Sequence, residues 1–340
     1  MSFSDPIDAV RASVAVVSHV PRKLISPEER LFWPYLLGSV AIALGLWLWR
    51  GGPRTSGFLA WLVPRGGLRS ASARLDLTLA LAWGGIRTLL RVLLLTGPFA
   101  ISSLGAVLWC LSQLDAGLGP ATPWRVSGTT LMWSYALVLF VAWDASRYAL
   151  HRLMHDVDAL WQLHQVHHSA TVLTPLTLHR SHPGEAILYA LSQWVVTVLI
   201  TTLAVRLLGA GAVPMEVLGV NAFGFAFSLL GGNLRHSHAP IVYPDWLERI
   251  LISPAQHQLH HSKDRALQRC NYGVWLACWD RMAGSLRHGS ADQVVDFGVA
   301  TADLNHDPHH LGSALVRPLL ALRPSRRRRS LDRPRSSFRP

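Results

Sequence analysis

Three stretches of sequence decide the fold of this chain: His151-Arg-Leu-Met-His155, His164-Gln-Val-His167-His168 and His257-Gln-Leu-His260-His261. In each stretch the outer histidines are four residues apart, a spacing that places their rings on one face of a helix. The chain has 17 histidines among 340 residues, and twelve of them fall between His151 and His261. Each stretch therefore predicts a helix that presents imidazole nitrogens to one point.

The number of clustered histidines predicts two metal ions. The three stretches supply eight imidazoles, and His182 and His236 in similar settings bring the total to ten. A tetrahedral zinc needs four ligands and a facial-triad iron needs three from the protein, so ten is too many for one ion. A lone histidine such as His179 or His238 is more often ordinary structure. Imidazole suits several transition metals, so the residue type does not select one.

Other familiar sites are not indicated. The sequence has neither the Glu-x-x-His pairs of carboxylate di-iron bundles nor the His-Glu-x-x-His of zinc proteases. Its three cysteines are far apart without a Cys-x-x-Cys pair, which argues against a disulfide framework or a thiolate zinc site.

The composition and the apolar segments favour a bilayer. Half of the residues are hydrophobic and 15% are charged, where a soluble domain has about a quarter charged. Residues Ser2–Glu29 lack the apolar core of a signal peptide. Candidate spans are Phe32–Trp49, Val92–Leu114, Thr129–Val141, Ala186–Leu208 and Val213–Leu230. The predicted fold class is all-α: an integral membrane helical bundle with a cytosolic, histidine-rich di-metal cap.

Charge between the segments predicts the orientation. The short basic stretch Arg50–Arg74 should be cytoplasmic and Asp115–Ser127 should lie on the far side. A tight hairpin at Gly209–Ala212 then returns the chain, so all histidine stretches face the cytosol. The first segment fits less well, because a full span would leave a basic N-terminus outside; it either crosses or dips into the membrane.

The formal charge of +12 is mostly arginine, with eight arginines between Arg323 and Arg339. Beside apolar spans, such a tail favours contact with anionic lipid on the cytoplasmic side over nucleic-acid binding. We therefore expect a membrane partner and no nucleic acid.

The motifs together resemble the fatty acid hydroxylase / sterol desaturase superfamily over Thr129–Leu286. The resemblance rests on the three histidine stretches with Asp144-Ala-Ser-Arg-Tyr148, His179-Arg-Ser-His182-Pro-Gly-Glu185, Asn271-Tyr-Gly273 and Trp279-Asp280. It implies a membrane-bound, non-haem di-iron oxidoreductase that hydroxylates or desaturates a fatty acyl or sterol-like lipid with O₂. Zinc is an alternative occupant of the two metal positions after expression.

The resemblance also implies the ligands. They are His151, His155, His164, His167, His168, His257, His260 and His261, with His182 and His236 as further ligands or as groups behind the ligands. The superfamily often has another histidine at the position of Gly232, so the ligand count of such relatives does not transfer directly. No catalytic residue beyond the metal centre is indicated.

Three acids, Asp144, Glu185 and Asp280, are candidates to orient imidazole N–H groups. The segment His306-Asp-Pro-His309-His310 has the same His-x-x-His-His spacing as the second and third stretches. It is predicted not to bind metal, because Pro308 disfavours a helix there. Although His182-Pro-Gly-Glu185 is similar to a cytochrome b5 haem loop, no fused b5 module is visible. Electrons should therefore come from an external cytochrome b5-like or ferredoxin-like protein.

The predicted organisation is an N-terminal segment (residues 1–31), an N-terminal membrane region (32–128), a catalytic domain (129–286) and a basic, flexible tail (287–340). Two other functions stay open. A metal-dependent membrane hydrolase would act without O₂ or reductant, and a non-enzymatic metal carrier would place its histidines inside the spans.

Overall fold

A computed structural model describes residues 22–51, 57–63, 67–96, 103–124, 128–209, 213–300 and 307–322. The described chain is mainly helical. Its longer helices are α1 (Trp33–Trp49), α3 (Ala71–Thr96), α4 (Ser103–Leu118), α5 (Gly128–Asp156), α6 (Asp158–His168), α7 (Pro183–Leu208), α8 (Ala222–Leu229) and α13 (Leu311–Ala321). Its short helices are α2 (Phe58–Leu62), α9 (Asp245–Glu248), α10 (Pro254–His260), α11 (Arg265–Gln268) and α12 (Cys278–Ala283). Three 3₁₀ helices cover Gly67–Arg69, Pro175–His179 and Gly232–His236, and the strands β1 (Glu216–Val217) and β2 (Val220–Asn221) form a two-residue antiparallel hairpin.

An apolar layer of helices carries the histidine region. Helix α7 packs on α5 through a cluster that contains Leu131, Leu139 and Ala204. Polar side chains also join these helices, since the hydroxyls of Tyr135 and Thr201 lie 2.6 Å apart. Both helices have one end at the histidines, so their packing fixes the relative positions of residues 151–155 and 182–185.

One helix among the described residues, α7 (Pro183–Leu208), is long and apolar enough to cross a membrane by length and composition. Its outer face exposes an i, i+4 row of apolar side chains: Leu191, Val195, Leu199, Leu203 and Leu207. Helix α1 has 17 residues and exposes Leu37, Val40, Leu44 and Leu48. The predicted all-α class thus agrees with the described helices, whereas the multi-span bundle stays a prediction.

One predicted span is wrong, and another extends beyond the described residues. Val92–Leu114 includes residues 97–102, which lie outside the described chain, so this span stays a prediction. Val213–Leu230 contains the hairpin and the eight-residue helix α8. The hairpin turn has positive φ at Leu218 (52°) and Gly219 (77°), which a continuous helix excludes. The predicted turn at Gly209–Ala212 lies mostly outside the described residues.

The segment predicted to be a flexible tail is packed where the structure describes it. Ala314 of α13 lies in a buried cluster with Leu79 of α3 and Val166 of α6. Phe297 is also buried, against Leu173. Phe297 and Ala314 thus pack against the histidine region, whereas the flexibility predicted from residue 287 onward stays a prediction and the arginine-rich residues 323–340 lie outside the described chain.

A buried ion pair anchors this C-terminal segment. Arg180 Nη1 donates to Asp76 Oδ1 at 2.9 Å, and both side chains are fully buried. The same guanidinium donates to the Pro308 carbonyl and to Nδ1 of His309. Arg180 therefore joins α3, the histidine region and the C-terminal segment at one point.

Candidate metal centre

Local sequence places the first two histidine stretches face to face. Helix α5 ends at Asp156 and α6 begins at Asp158, so only Val157, whose backbone is extended, separates the two helices. The histidines of α5 thereby meet the side of α6 that carries His164 and His168. The turn converts two predicted helical faces into one site.

The third stretch is set by a capping box. Ser253 caps α10 by accepting from the Gln256 N–H, and Gln256 Oε1 accepts from the Ser253 N–H at 3.0 Å. Pro254 occupies the first turn, where its missing N–H costs nothing. This buried cap fixes the rotation of a helix of only seven residues. Its three histidines therefore point in defined directions.

The five-histidine group consists of His151, His155, His164, His168 and His260, whose candidate ligand atoms lie within 4.8 Å of one another. Nε2 of His151 lies 3.0 Å from Nε2 of His164 and 3.0 Å from Nε2 of His260. Nε2 of His168 lies 3.2 Å from that of His164. Helices α5, α6 and α10 thus all contribute to the group.

The four-histidine group consists of His167, His236, His257 and His261, again within 4.8 Å. Nε2 of His236 lies 3.3 Å from that of His167 and 3.1 Å from that of His257. Nε2 of His261 lies 3.1 Å from that of His257. The rings of His168 and His261 stack at 4.7 Å, so the two groups are neighbours.

Backbone carbonyls fix the tautomer of two histidines in the five-histidine group. His151 Nδ1–H donates to the Tyr272 carbonyl at 2.6 Å, and His260 Nδ1–H donates to the Cys270 carbonyl at 2.8 Å. A carbonyl accepts only, so the proton is on Nδ1 and the lone pair is on Nε2. Their Nε2 lone pairs therefore face each other at hydrogen-bond distance with no proton between them.

Of the three acids expected to orient imidazoles, only Glu185 contacts one. Its Oε1 lies 3.0 Å from His164 Nδ1. Asp144 instead accepts from the N–H groups of Trp275 and Leu276 and from the Trp279 indole. Asp280 accepts from the backbone of residues 272 and 273 and from the Ser285 hydroxyl. Asp144 and Asp280 thus shape the loop that supplies the Tyr272 carbonyl, and their predicted contact with imidazole is wrong.

Burial keeps these histidines neutral. Removal from water lowers the pKa of His164 and of His167 to about 3. Burial, reinforced by neighbouring histidines, also lowers the pKa of His168, His260 and His261 well below 6.5. Protons therefore do not relieve the crowding of lone pairs at neutral pH.

A metal ion at each group would relieve it. An ion bonded to two imidazoles at about 2.0–2.1 Å separates their nitrogens by about 2.9 Å at a right angle and by about 3.4 Å at the tetrahedral angle. The observed separations are 3.0–3.3 Å. Neutral imidazole is also the form that binds metals. The residues of both groups therefore fit a metal ion.

The structure brings together nine of the ten predicted ligands and leaves His182 outside both groups. His182 caps α7: its Nδ1 accepts from the Gly184 N–H at 2.9 Å, and its Nε2–H donates to the Leu315 carbonyl at 3.0 Å. Both ring nitrogens are engaged by backbone, so His182 has no lone pair left for a metal. His309 and His310 precede α13 and are likewise outside the groups, and His306 is outside the described residues.

Sequence reasoning missed the acceptors behind the ligands. The carbonyls of Cys270 and Tyr272 hold histidines of the five-histidine group, and the Arg180 carbonyl lies 3.3 Å from His167 Nδ1. A backbone carbonyl carries no side-chain signature, so only the path of the chain reveals its role.

Known proteins resemble this part of the chain. Residues 136–285 match the family model of fatty acid hydroxylase. The chain is 29% identical to alkylglycerol monooxygenase of Danio rerio over 48% of its own length and 32% of that protein. It is 28% identical to an ornithine lipid hydroxylase of Rhizobium tropici (45% of this chain, 41% of that protein) and 29% identical to lathosterol oxidase of Mus musculus (47% of each). No solved structure matches the chain.

The helical fold and the paired histidine groups define a protein with two clustered imidazole sites. Together with the matches, they support the likeness to the fatty acid hydroxylase / sterol desaturase superfamily that the motifs predicted, over residues 136–285. The relatives named are oxidoreductases of lipids or sterols by their names, and the matched region covers less than half of each of them.

Proposed function

We propose that this protein is a membrane-bound, O₂-dependent oxidoreductase that hydroxylates or desaturates an unactivated C–H of a lipid. The observation that carries the proposal is the convergence of nine neutral imidazoles in groups of five and four. Within each group the candidate ligand atoms lie within 4.8 Å of one another, and six Nε2–Nε2 pairs are 3.0–3.3 Å apart. Two irons are the proposed occupants, on the strength of the superfamily. When bound and reduced, they would supply O₂ activation and the oxidising power to break a C–H bond.

The protein's own residues would hold and shield the centre. Glu185 and the carbonyls of Tyr272 and Cys270 keep three imidazoles in the metal-binding tautomer. The rings of Trp161 and Tyr272 lie 5.1 and 5.2 Å from that of His155 and cover this side of the group. Fixed imidazole orientations and the exclusion of water suit an oxidation in which side reactions with solvent must be prevented.

An apolar cleft gives a lipid a way to the centre. It has a volume of about 90 Å³, and α1, the segment after α6 and the 3₁₀ helix Gly232–His236 surround it. Leu36, Val40, Leu173 and Leu234 line it together with His236. A hydrocarbon chain placed there would reach a residue of the four-histidine group.

The exposed apolar rows on α1 and α7 support membrane embedding, because large exposed apolar surfaces of this kind are rare on soluble monomers. We propose multi-pass insertion with the histidine groups on the cytosolic face. An external electron-transfer protein, cytochrome b5-like or ferredoxin-like, would reduce the centre.

The test is lipid analysis under oxygen-18. A host that expresses the chain should make a lipid heavier by one labelled oxygen, or one lighter by two hydrogens if the reaction is desaturation. The His168→Ala variant, expressed at the same level, should make neither. A metal-dependent hydrolase would instead form its product without O₂ or reductant, so the same product under nitrogen would contradict the proposal.

A further inference from the structure

Three arginines gather beside the four-histidine group. The guanidinium carbons of Arg147 and Arg30 lie 4.6 and 5.4 Å from the centre of the Trp275 ring. Arg235, which directly precedes His236, is only 3% exposed and lies over the ring of Phe227. The burial of Arg30 and the charges of Arg147 and Arg235 lower the pKa of Arg30 to about 9. The positive charges of the three arginines therefore lie close enough to repel one another.

Neutral acceptors hold these arginines in place. Arg30 donates to the Ser228 hydroxyl at 2.9 Å, and Arg235 Nε donates to the Gly232 carbonyl at 3.1 Å. Arg147 donates to the side-chain oxygen of Gln193. Among the described residues, no carboxylate forms an ion pair with any of the three. The guanidiniums are thus positioned without being neutralised.

Asp144 is the carboxylate within electrostatic reach of all three arginines. Its oxygens are already occupied by three N–H donors from residues 275, 276 and 279. One carboxylate against three guanidiniums leaves two positive charges in a largely buried region. Uncompensated buried charge is costly, and metal ions bound by neutral imidazoles would add more positive charge nearby.

We propose that Arg30, Arg147 and Arg235 form a binding site for one anionic group, the carboxylate or phosphate of a lipid headgroup or a free phosphate ion. Guanidinium donors match the oxygens of carboxylate and phosphate. Since Arg235 is buried, the site suits a small anion that enters the protein and does not suit an acidic protein surface. The inference rests on the proposed function where it assigns the anion to the substrate.

The arginine site adjoins the apolar cleft. Asn233, which lines the cleft, donates its side-chain N–H to the Arg30 carbonyl at 2.8 Å. A lipid with its anionic end on the arginines could therefore lay the start of its chain toward His236. In this pose, the C–H bonds nearest the headgroup would approach the histidine groups, and those at the far end of the chain would not.

Equilibrium binding of radiolabelled oleate and of oleyl alcohol, in the same neutral detergent without O₂ or reductant, tests the site. The two probes share a chain and differ in charge. Wild-type protein should bind oleate at least tenfold more tightly than oleyl alcohol. Arg147→Gln and Arg235→Gln should each reduce that preference about tenfold or more, and Arg235→Lys should keep part of it.

Arg269→Gln is the matched control, because Arg269 is an exposed arginine paired with Asp156. It should leave the preference unchanged. Displacement of oleate by millimolar inorganic phosphate at wild-type arginines supports a shared anion site. If phosphate protects the protein against unfolding in an arginine-dependent way while the two probes bind equally, the site takes free phosphate and not a headgroup.

The proposal is overturned if neither oleate preference nor phosphate protection is seen, or if both survive the two glutamine substitutions. Metal content and helicity of each variant, measured on the same sample, show that it has folded. Binding is measured without turnover, so a failed anion-site proposal leaves the oxygenase proposal untouched. Conversely, a protein that prefers oleate but oxidises no lipid would support the anion site and contradict the oxygenase proposal.

Discussion

The two histidine groups are built from the same residue type but are held differently. In the five-histidine group, three rings have their Nδ1–H on a protein acceptor: His151, His164 and His260. In the four-histidine group only His167 does, and Nδ1 of His236, His257 and His261 is buried without a partner in the described chain. Acceptors behind a ligand fix its ring and raise its basicity. The five-histidine group is therefore the more preorganised, and we expect it to bind its metal more tightly.

The largest expected effect comes from removing one ligand from each group. His260→Ala and His261→Ala should each abolish lipid oxidation, because each opens one site of a centre that needs both. Metal analysis should show close to two ions per chain in wild type and close to one in each variant. His310→Ala, outside both groups, should keep two ions and full activity.

If each substitution alone caused the loss of both metal ions, the two groups would not be independent sites, and the proposed difference in their affinity would be contradicted. A wild-type stoichiometry of one ion would contradict it more directly. Recovered zinc in place of iron would leave the count informative.

Chelation should reveal the difference in affinity. Titration of loaded protein with a chelator should remove metal in two steps, separated by about tenfold to a hundredfold in affinity, the range expected for outer acceptors. The weaker step should be missing in His261→Ala. A single step in wild type, or loss of the tighter step in that variant, would reverse the assignment.

Removing an acceptor from the five-histidine group should reduce the difference in metal affinity between the two groups. Glu185→Ala takes the carboxylate from His164 and should lower the affinity of the five-histidine group by about tenfold to a hundredfold. Metal titration of the variant measures the change. Asp296→Asn, at an exposed ion pair with Lys263, is the control and should bind both ions normally. An unchanged tight step would show that Glu185 does not support the ligand.

Acid should destabilise the metal-free protein through both groups. The pKa of the buried histidines is depressed, to about 3 for His164 and His167, and unfolded histidine has a pKa of about 6.5. The unfolded chain therefore binds more protons as the pH falls below 6.5, and the free energy of unfolding decreases from there toward pH 3.

Denaturant melts between pH 7.5 and pH 5.5 should show this fall in stability. His257→Gln should give a shallower fall, since one titrating group is lost from the unfolded chain. Stability that is flat or rises on acidification would mean that the folded groups take up protons.

The histidines of the two groups were predictable from sequence and the arrangement around them was not. The spacing of four within each stretch identified eight of the nine grouped histidines, and the superfamily motif added His236. His182 lies outside both groups, and its contact with the Leu315 carbonyl could not be predicted because Leu315 is distant in sequence. His164 and His168 are four residues apart and share one face of α6, whereas His167 lies about 100° around the helix from His168 and joins the four-histidine group.

The membrane segments were predicted less well, for a physical reason. Hydropathy averages over a window, so it overlooks the turn at Leu218–Gly219. The docking of α13 was missed because it depends on Arg180 and Asp76, a buried pair between residues 104 positions apart. Pro308 correctly indicated that the histidines before α13 are not helical.

The capping box of α10 has a consequence for how the protein is made. His260 and His261 are the last ligands in the chain, and His260 meets His151 across 109 residues. A ribosome has therefore finished α5, α6 and α7 before either group can close. During synthesis the early histidines can form only part of each group and would bind a metal weakly. Stable binding requires Ser253 and Gln256 to leave the ribosome and form the capping box that starts α10. Completion of both candidate metal sites is thereby tied to near-completion of translation, and a chain that stalls earlier has neither site complete.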